Sequence, residues 1–323
     1  MTEAFSKPGV LVFAYQDVGY ACLEELLSRG VRVLAVFTHA DDPGEQCWFR
    51  SVAELATSHG IPVHTPESID TPEWRSLISV LHPDLILSFY YRHMIATDIL
   101  DSARLGALNM HGSLLPKYRG RAPINWAIVN GEQETGVTLH HMVARADAGD
   151  IVDQQAVPIG PTDSVRDLYP HIVAAARAVL ARQLDNLLTG RALRQVQDET
   201  QASYFGGRRP EDGRIDWSCP ARTIFNLIRA VTHPYPGAFT DVTGRRLYIW
   251  WAEAYDAPSG SAGAVLSEQP LRVAAGNGCV EIQTWQWEGA AEQRAPHDQH
   301  GLRTGQTLAD ALPRAGRNGH QAR

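Results

Sequence analysis

Short apolar runs alternate with helically spaced segments through the first half of the chain. Gly9–Ala14 (GVLVFA) and Val31–Thr38 (VRVLAVFT) read as strands, with a helix over Tyr20–Ser28 between them that stops before Gly30. A polar loop, Ala40–Glu45, follows. Ser51–Ser58 is helical up to Gly60, Pro72–Leu81 is a further helix, and Asp84–Phe89 (DLILSF) is a third strand. Unbroken Val, Ile and Leu runs between helices predict a parallel sheet covered on both faces, because no strand face then meets water. Gly106–His111 (GALNMH) and Gly136–Val143 (GVTLHHMV) add strands, with Pro123–Val129 between them as a short helix opened by its proline. Asp163 to Leu188 is predicted as one long helix, with Ser164 placed to cap it and Gly190 just past its end.

The pattern changes after Thr200. Tyr204–Gly213 (YFGGRRPEDG) is a turn-rich connector, and one helix, Pro220–Thr232, follows it. Short apolar runs then come at Gly237–Val242, Leu247–Ala252, Gly263–Ser267, Leu271–Ala275 and Cys279–Trp287. Such strands, separated by Gly, Asn and Pro, predict a small β-barrel. The expected organisation is therefore a domain over 1–205, a second over 206–312, and a tail, 313–323, whose lack of apolar periodicity predicts disorder.

The length of 323 residues suits two domains. A net charge of −7 opposes a partner held through a basic surface, so nucleic acid is not an expected partner. The four cysteines, Cys22, Cys47, Cys219 and Cys279, form no CxxC pair, which argues against a disulfide framework or a zinc site and for a reducing cytoplasm. No run approaches the roughly 18 apolar residues of a membrane span. The opening MTEAFSKPG lacks the basic and apolar segments of a signal peptide.

Several site types are excluded by motif. The first strand runs into FAYQDVGY without GxGxxG, and neither GxxxxGK[ST] nor GxSxG occurs. The informative segment is 109–121, NMHGSLLPKYRGR. Asn109 and His111 are two apart on a strand and share a face. Gly112, Pro116 and Gly120 then force a loop of the kind that carries ligands in open α/β sheets. A buried Asn and His bonded to nearby backbone is the plainer account of that pair. A second segment, Asp147–Asp150 (DAGD), follows the strand holding His140 and His141; an Asp before Gly is most often a turn-former. Carboxylate, imidazole and carboxamide together nevertheless make an acyl-transfer site: the carboxylate holds the imidazole, the imidazole handles the proton, and the carboxamide donates to an oxyanion. No Ser or Cys pairs with them, so direct attack by a substrate amine fits better than a covalent intermediate. Metal binding by His111, His140, His141 and Asp147 is disfavoured, since adjacent strand residues face opposite ways and no HExxH is present. Two basic clusters, Lys117/Arg119/Arg121 and Arg208/Arg209, suit either a phosphate or carboxylate grip or a solvated loop.

Residues 109–132, with GVTLHHMVARADAGDIV downstream, resemble the 10-formyltetrahydrofolate-dependent formyltransferase family, whose signature is Asn-x-His-x-Ser-Leu-Leu-Pro with a later Asp before Gly. The similarity runs over roughly residues 8 to 312. VFAYQDVG, FTHADDPGE, LSFYYRHMI and THPYPGAF also resemble the branch acting on UDP-4-amino-4-deoxy-L-arabinose in lipid A modification and polymyxin resistance. The resemblance implies an α/β fold, a Rossmann-like formyltransferase domain with a C-terminal OB-like β-barrel domain; the enteric branch member is fused to a decarboxylating dehydrogenase, an activity not expected in these 323 residues. It implies 10-formyltetrahydrofolate as formyl donor, a nucleotide-linked amino sugar as acceptor, and no metal. Asn109 matches the transition-state stabiliser, His111 the proton-transfer residue and Asp147 the carboxylate that favours the imidazolium. His93, Met94, Ile95 and Arg121 match folate contacts, as does the stretch Val143, Ala144, Arg145, Ala146 and Asp147.

Methionyl-tRNA formyltransferases share the core signature. The acidic loop with Asp41, Asp42 and Glu45, where the tRNA enzymes carry a basic insertion, argues against that reading because it repels an acceptor stem. Other nucleotide amino sugars and a catalytically dead folate- or nucleotide-sugar-binding module complete the alternatives; the intact Asn109, His111 and Asp147 speak against the last.

Overall fold

The computed structural model describes residues 7–41, 47–256, 260–296 and 300–308. Asp42, Glu45 and the 313–323 tail lie outside them. The chain divides into two compact units. The first runs up to Gly120 and includes Glu134–Pro158 and Tyr169–Tyr204; the second comprises Arg121–Gln133, Ile159–Leu168 and the chain from Phe205 onward.

In the first unit β1 (Gly9–Ala14), α1 (Gln16–Ser28), β2 (Arg32–Phe37), α2 (Val52–Ser58), β3 (Val63–His64), α3 (Pro72–Leu81) and β4 (Leu85–Phe89) alternate as the apolar pattern predicts. A short α4 (Thr97–Leu100), β5 (Ala107–His111) and β6 (Arg119–Gly120) follow. Helix α1 begins at Gln16, four residues before the predicted start, and ends where Gly30 takes a left-handed φ of 63°. α5 (Pro123–Val129) belongs to the second unit. β7 (Glu134–His141), β8 (Ile151–Pro158) and most of α6 (Val165–Leu188) return to the first. The Ser164 cap is present: its hydroxyl accepts the Asp167 N–H while Asp167 Oδ2 accepts the Ser164 N–H.

The sheet order is β3-β2-β1-β4-β5-β7-β8. β1 lies inside the sheet between β2 and β4, and all six of its residues are buried; Leu11 and Phe13 pack with Phe37, Ile86 and Ile95 in one core. The sheet is parallel from β3 to β5, but β5 pairs antiparallel with β7, and β7 with β8. The parallel sheet expected from the first strands is present through β5, and β7 and β8 extend it as an antiparallel half. Strand β8 (IVDQQAVP) escapes the apolar pattern for a physical reason: it is the edge strand, and its half-solvated face carries Asp and Gln.

In the second unit, after β9 (Tyr204–Phe205), helix α7 (Ala221–Val231) buries Ile224, Phe225, Ile228 and Val231. β10 (Ala238–Val242), β11 (Arg245–Tyr255), β12 (Val265–Glu268), β13 (Leu271–Ala274), β14 (Cys279–Trp287) and β15 (Gln293–Arg294) form an antiparallel sheet. Its path, β10-β11-β14-β13-β12, stays open among the described residues, so the sheet expectation holds without closure into a barrel. No helix of the described residues is long and apolar enough to cross a membrane.

One cation ties this unit together. Arg229 is 2% exposed and donates to the carbonyls of Gly160 and Asp163 at 3.2 and 2.7 Å and to Asn226 at 3.0 Å. Burial pushes its guanidinium down to about 10, with Arg222 adding repulsion. Arg229→Ala strands these acceptors, and we expect a loss of about 2–4 kcal/mol, read from urea midpoints. A midpoint unchanged from wild type would show the contacts to be dispensable.

Candidate active site

Strand β5 is buried except at Asn109, which is partly accessible. Antiparallel pairing sets Asn109 opposite His140 and His111 opposite Thr138, so the alternation of both strands turns these four side chains to one face. Asn109 Nδ2 lies 3.3 Å from His140 Nε2. His140 Nδ1 is 2.9 Å from the His141 carbonyl, which can only accept, so Nδ1 donates there and turns Nε2 toward the Asn109 amide. His111 makes the mirror choice. Its Nε2 donates to the Tyr118 carbonyl at 2.8 Å, which turns Nδ1 toward Asp147 Oδ1 at 3.5 Å.

Asp147 closes the group. Its Oδ1 is also 3.4 Å from His140 Nε2, and its Oδ2 accepts the Gly120 N–H at 2.8 Å. Burial alone raises a carboxyl, but the His111 charge, the His140 contact and the Gly120 N–H outweigh it and hold Asp147 well below the usual carboxylate range. The residue adopts a left-handed φ of 53°, which Asp tolerates better than most residues. Two features fix that loop. A Cβ at Gly149 would fall 1.9 Å from the His141 carbonyl, so only glycine lets the loop lie this close to β7. Gln197 then donates to the carbonyls of Asp147 and Gly149 at 2.9 and 2.6 Å.

The segment carrying Gln197 acts as a return strap. Gln195 exchanges both backbone hydrogen bonds with Ile151, and Ser203 accepts the backbone N–H groups of Tyr118 and Arg119 through its side chain and carbonyl. Arg119, 0% exposed, donates to Gln197, Glu199 and the Tyr204 hydroxyl. The reading of Lys117, Arg119 and Arg121 as one basic cluster is corrected here, because the middle guanidinium is fully engaged inside the first unit. Arg121 falls in the second.

Asn109, His111 and Asp147 therefore come together, and His140 joins them. Sequence reasoning treated His140 and His141 as an undifferentiated pair; the signal was that only one of two neighbouring strand residues can face Asn109. The other, His141, is buried, its Nε2 has no partner, and burial pushes it down to about 4. Among the described residues no group of three His, Cys, Asp or Glu is placed to hold a metal ion. His93, Met94 and Ile95 follow β4; His93 packs edge-on to His39 and Tyr91, and the Ile95 side chain is spent in the core. Met94 and Val143, on the two strips matched to folate, are 61% and 44% exposed. Ala144 and Arg145 are exposed and Ala146 half-buried on the same loop as Asp147, with Arg145 paired to Glu199.

Residues 9–184 match the formyl transferase family, and residues 208–297 match the formyl transferase C-terminal domain. The chain belongs to the formyl transferase family. WlaRD, a sugar 3N-formyl transferase solved with dTDP and 5-N-formyl-THF, is similar to this formyltransferase at 20% identity over 88% of this chain and 100% of its own, with a TM-score of 0.67. The N-formyltransferase of Helicobacter canadensis, solved with folinic acid and dTDP-3-aminofucose, is 21% identical over 84% of this chain and 98% of its own, with a TM-score of 0.66. HypX of Aquifex aeolicus, in complex with tetrahydrofolic acid, is 19% identical over 90% of this chain but only 46% of its own, with a TM-score of 0.61. At these identities the likeness to the three is one of fold.

The depressed Asp147 carboxyl makes stability pH-dependent with a definite sign. Between its native value and its ordinary value of 3.8 the unfolded chain binds the extra proton, so stability rises with pH there. The contribution is complete above about pH 4 and drains away as pH falls toward the native value. We expect Asp147→Asn to be less stable at neutral pH and to show a shallower fall below pH 4 in urea titrations. Equal slopes for the two proteins would contradict this balance of charges.

Proposed function

We propose that this formyltransferase moves the formyl group of 10-formyltetrahydrofolate to the amine of a nucleotide-linked amino sugar, with UDP-4-amino-4-deoxy-L-arabinose as the acceptor. The observation that carries the reading is the shared face of Asn109, His111 and His140 around the Asp147 carboxylate. That set can steady an oxyanion and relay protons. It holds no competing nucleophile, since the Ser113 hydroxyl is engaged by the Lys117 carbonyl.

The uncharged sugar amine attacks the formyl carbon. The Asn109 amide, placed beside His140, donates to the developing oxyanion. Charge building on His111 at Nδ1 is met by Asp147. The carbon–N10 bond of the folate breaks as the new carbon–nitrogen bond is kept; the amine loses one proton and N10 gains one. His93, Met94, Ile95, Arg121 and the 143–147 loop serve the folate in this reading. The exposed Met94 and Val143 side chains support it, because unpacked apolar groups of that size suit a flat ring system. Donor and acceptor class are supported by the folates and dTDP-sugar solved with WlaRD and the Helicobacter canadensis enzyme. Those same relatives favour a dTDP-linked amino sugar as the second reading. The catalytic domain is taken as 1–205 and the C-terminal part, with its open antiparallel sheet, as 206–312.

Side-by-side assays of UDP-4-amino-4-deoxy-L-arabinose, dTDP-linked amino sugars and methionyl-tRNA with 10-formyltetrahydrofolate test the acceptor. We expect turnover of the UDP sugar and none of the tRNA; tRNA formylation at a matching rate would reverse the assignment. Asn109→Ala and His111→Ala should each lower kcat by at least about 100-fold while remaining folded, the scale for losing an oxyanion donor or proton-transfer group. Near-wild-type turnover in either variant would refute the mechanism.

A further inference from the structure

Two arginines at the start of the second unit contrast with the fully engaged Arg119. Arg208 lies over the Trp126 ring, its Cζ 4.5 Å from the centroid, and its one hydrogen bond goes to the Asp212 carbonyl at 2.9 Å. Of five guanidinium N–H donors, four are therefore unspent. The nearest carboxylate, Asp212, is already occupied: its Oδ2 accepts the Arg209 N–H at 2.6 Å. Arg121 lies against Gly207, where a Cβ would meet its guanidinium at 3.5 Å, and no ion pair of the described residues includes Arg121, Arg208 or Arg209. The platform beneath Arg208 is rigid. Trp126 Nε1 donates to the Gly206 carbonyl at 3.0 Å, and Phe205 packs on the indole at 5.1 Å. Gly206 and Gly207 are exposed, and a Cβ at Gly206 would meet nothing within 4 Å.

We propose that Arg208, held over the Trp126 ring, is an anion subsite that grips the diphosphate of the acceptor nucleotide. The inference deepens the reading above and rests on it for the identity of the anion. A guanidinium already held over an indole can offer two N–H groups to a phosphate with less left to order on binding. Partial burial also disfavours its charge, so an arriving anion meets a guanidinium that water screens poorly. The competing source of anionic oxygen is the glutamyl tail of the folate donor, and the test separates the two.

UDP and 5-formyltetrahydrofolate are titrated calorimetrically into the full chain as wild type, Arg208→Gln and Arg208→Lys. Arg208→Gln should weaken UDP at least about tenfold, the scale of a lost charge-assisted hydrogen bond, with folate affinity and Tm unchanged. Arg208→Lys keeps the charge without the two-point grip and should fall between. UDP binding within twofold of wild type in Arg208→Gln overturns the subsite, as does folate affinity falling in place of UDP affinity, or wild type that fails to bind millimolar UDP. If Arg208→Gln does not fold, Arg208→Lys decides: several-fold weaker UDP binding supports the subsite and unchanged binding overturns it. The formyl-transfer assay on wild type separates the two levels. Turnover of a nucleotide sugar with an unaltered acceptor KM in the variant sinks the subsite alone, whereas wild type inert toward every nucleotide sugar sinks the functional reading.

Discussion

A carboxylate removed from water costs several kcal/mol unless charge and hydrogen bonds return what solvation gave. Asp147 meets that demand with two imidazoles and a backbone N–H, and much of the first unit is arranged to bring those partners to it. The antiparallel turn of β7 against β5 supplies His111 and His140 from neighbouring strands. The loop bearing Gly120 supplies the N–H, and Gly149 lets the Asp147 loop close on β7. Each histidine uses its other nitrogen on a backbone carbonyl, which fixes ring orientation and leaves the inward nitrogen for chemistry.

The parts of the fold that sequence predicts well are those where one interaction decides. Gly9–Ala14, Pro72–Leu81 and Pro123–Val129 match their observed bounds because an unbroken apolar run or an opening proline leaves little choice. Strand β8 and the antiparallel half of the sheet were not legible, since a polar edge strand carries no strong period and direction is set by connections. The same division runs through the site. Asn109 and His111 could be placed on one face from spacing alone. That Asp147 faces them came from resemblance, and that His140 faces them needed the β5–β7 register.

Arginines show most clearly what one residue type can conceal. Arg119 and Arg208 both sit in basic clusters as the sequence is written. One is enclosed, its donors divided among Gln197, Glu199 and Tyr204; the other lies on an indole with a single backbone partner. Arg229 is a third case, a buried cation satisfied by carbonyls and an amide oxygen with no carboxylate bonded to it. No count of charges distinguishes the three, because the difference lies in which acceptors the fold delivers to each guanidinium.

The strap over 195–204 changes what counts as the smallest complete catalytic half. By its strands and helices the scaffold is finished at Leu188, the end of α6, and every candidate catalytic residue precedes that point. Yet the carbonyls of Asp147 and Gly149, the Arg119 guanidinium and the N–H of Tyr118 are all held from beyond it, by Gln197, Glu199 and Ser203. A fragment cut at its last helix would keep the reagents and lose the clamp, so architecture and chemistry end at different residues in this chain.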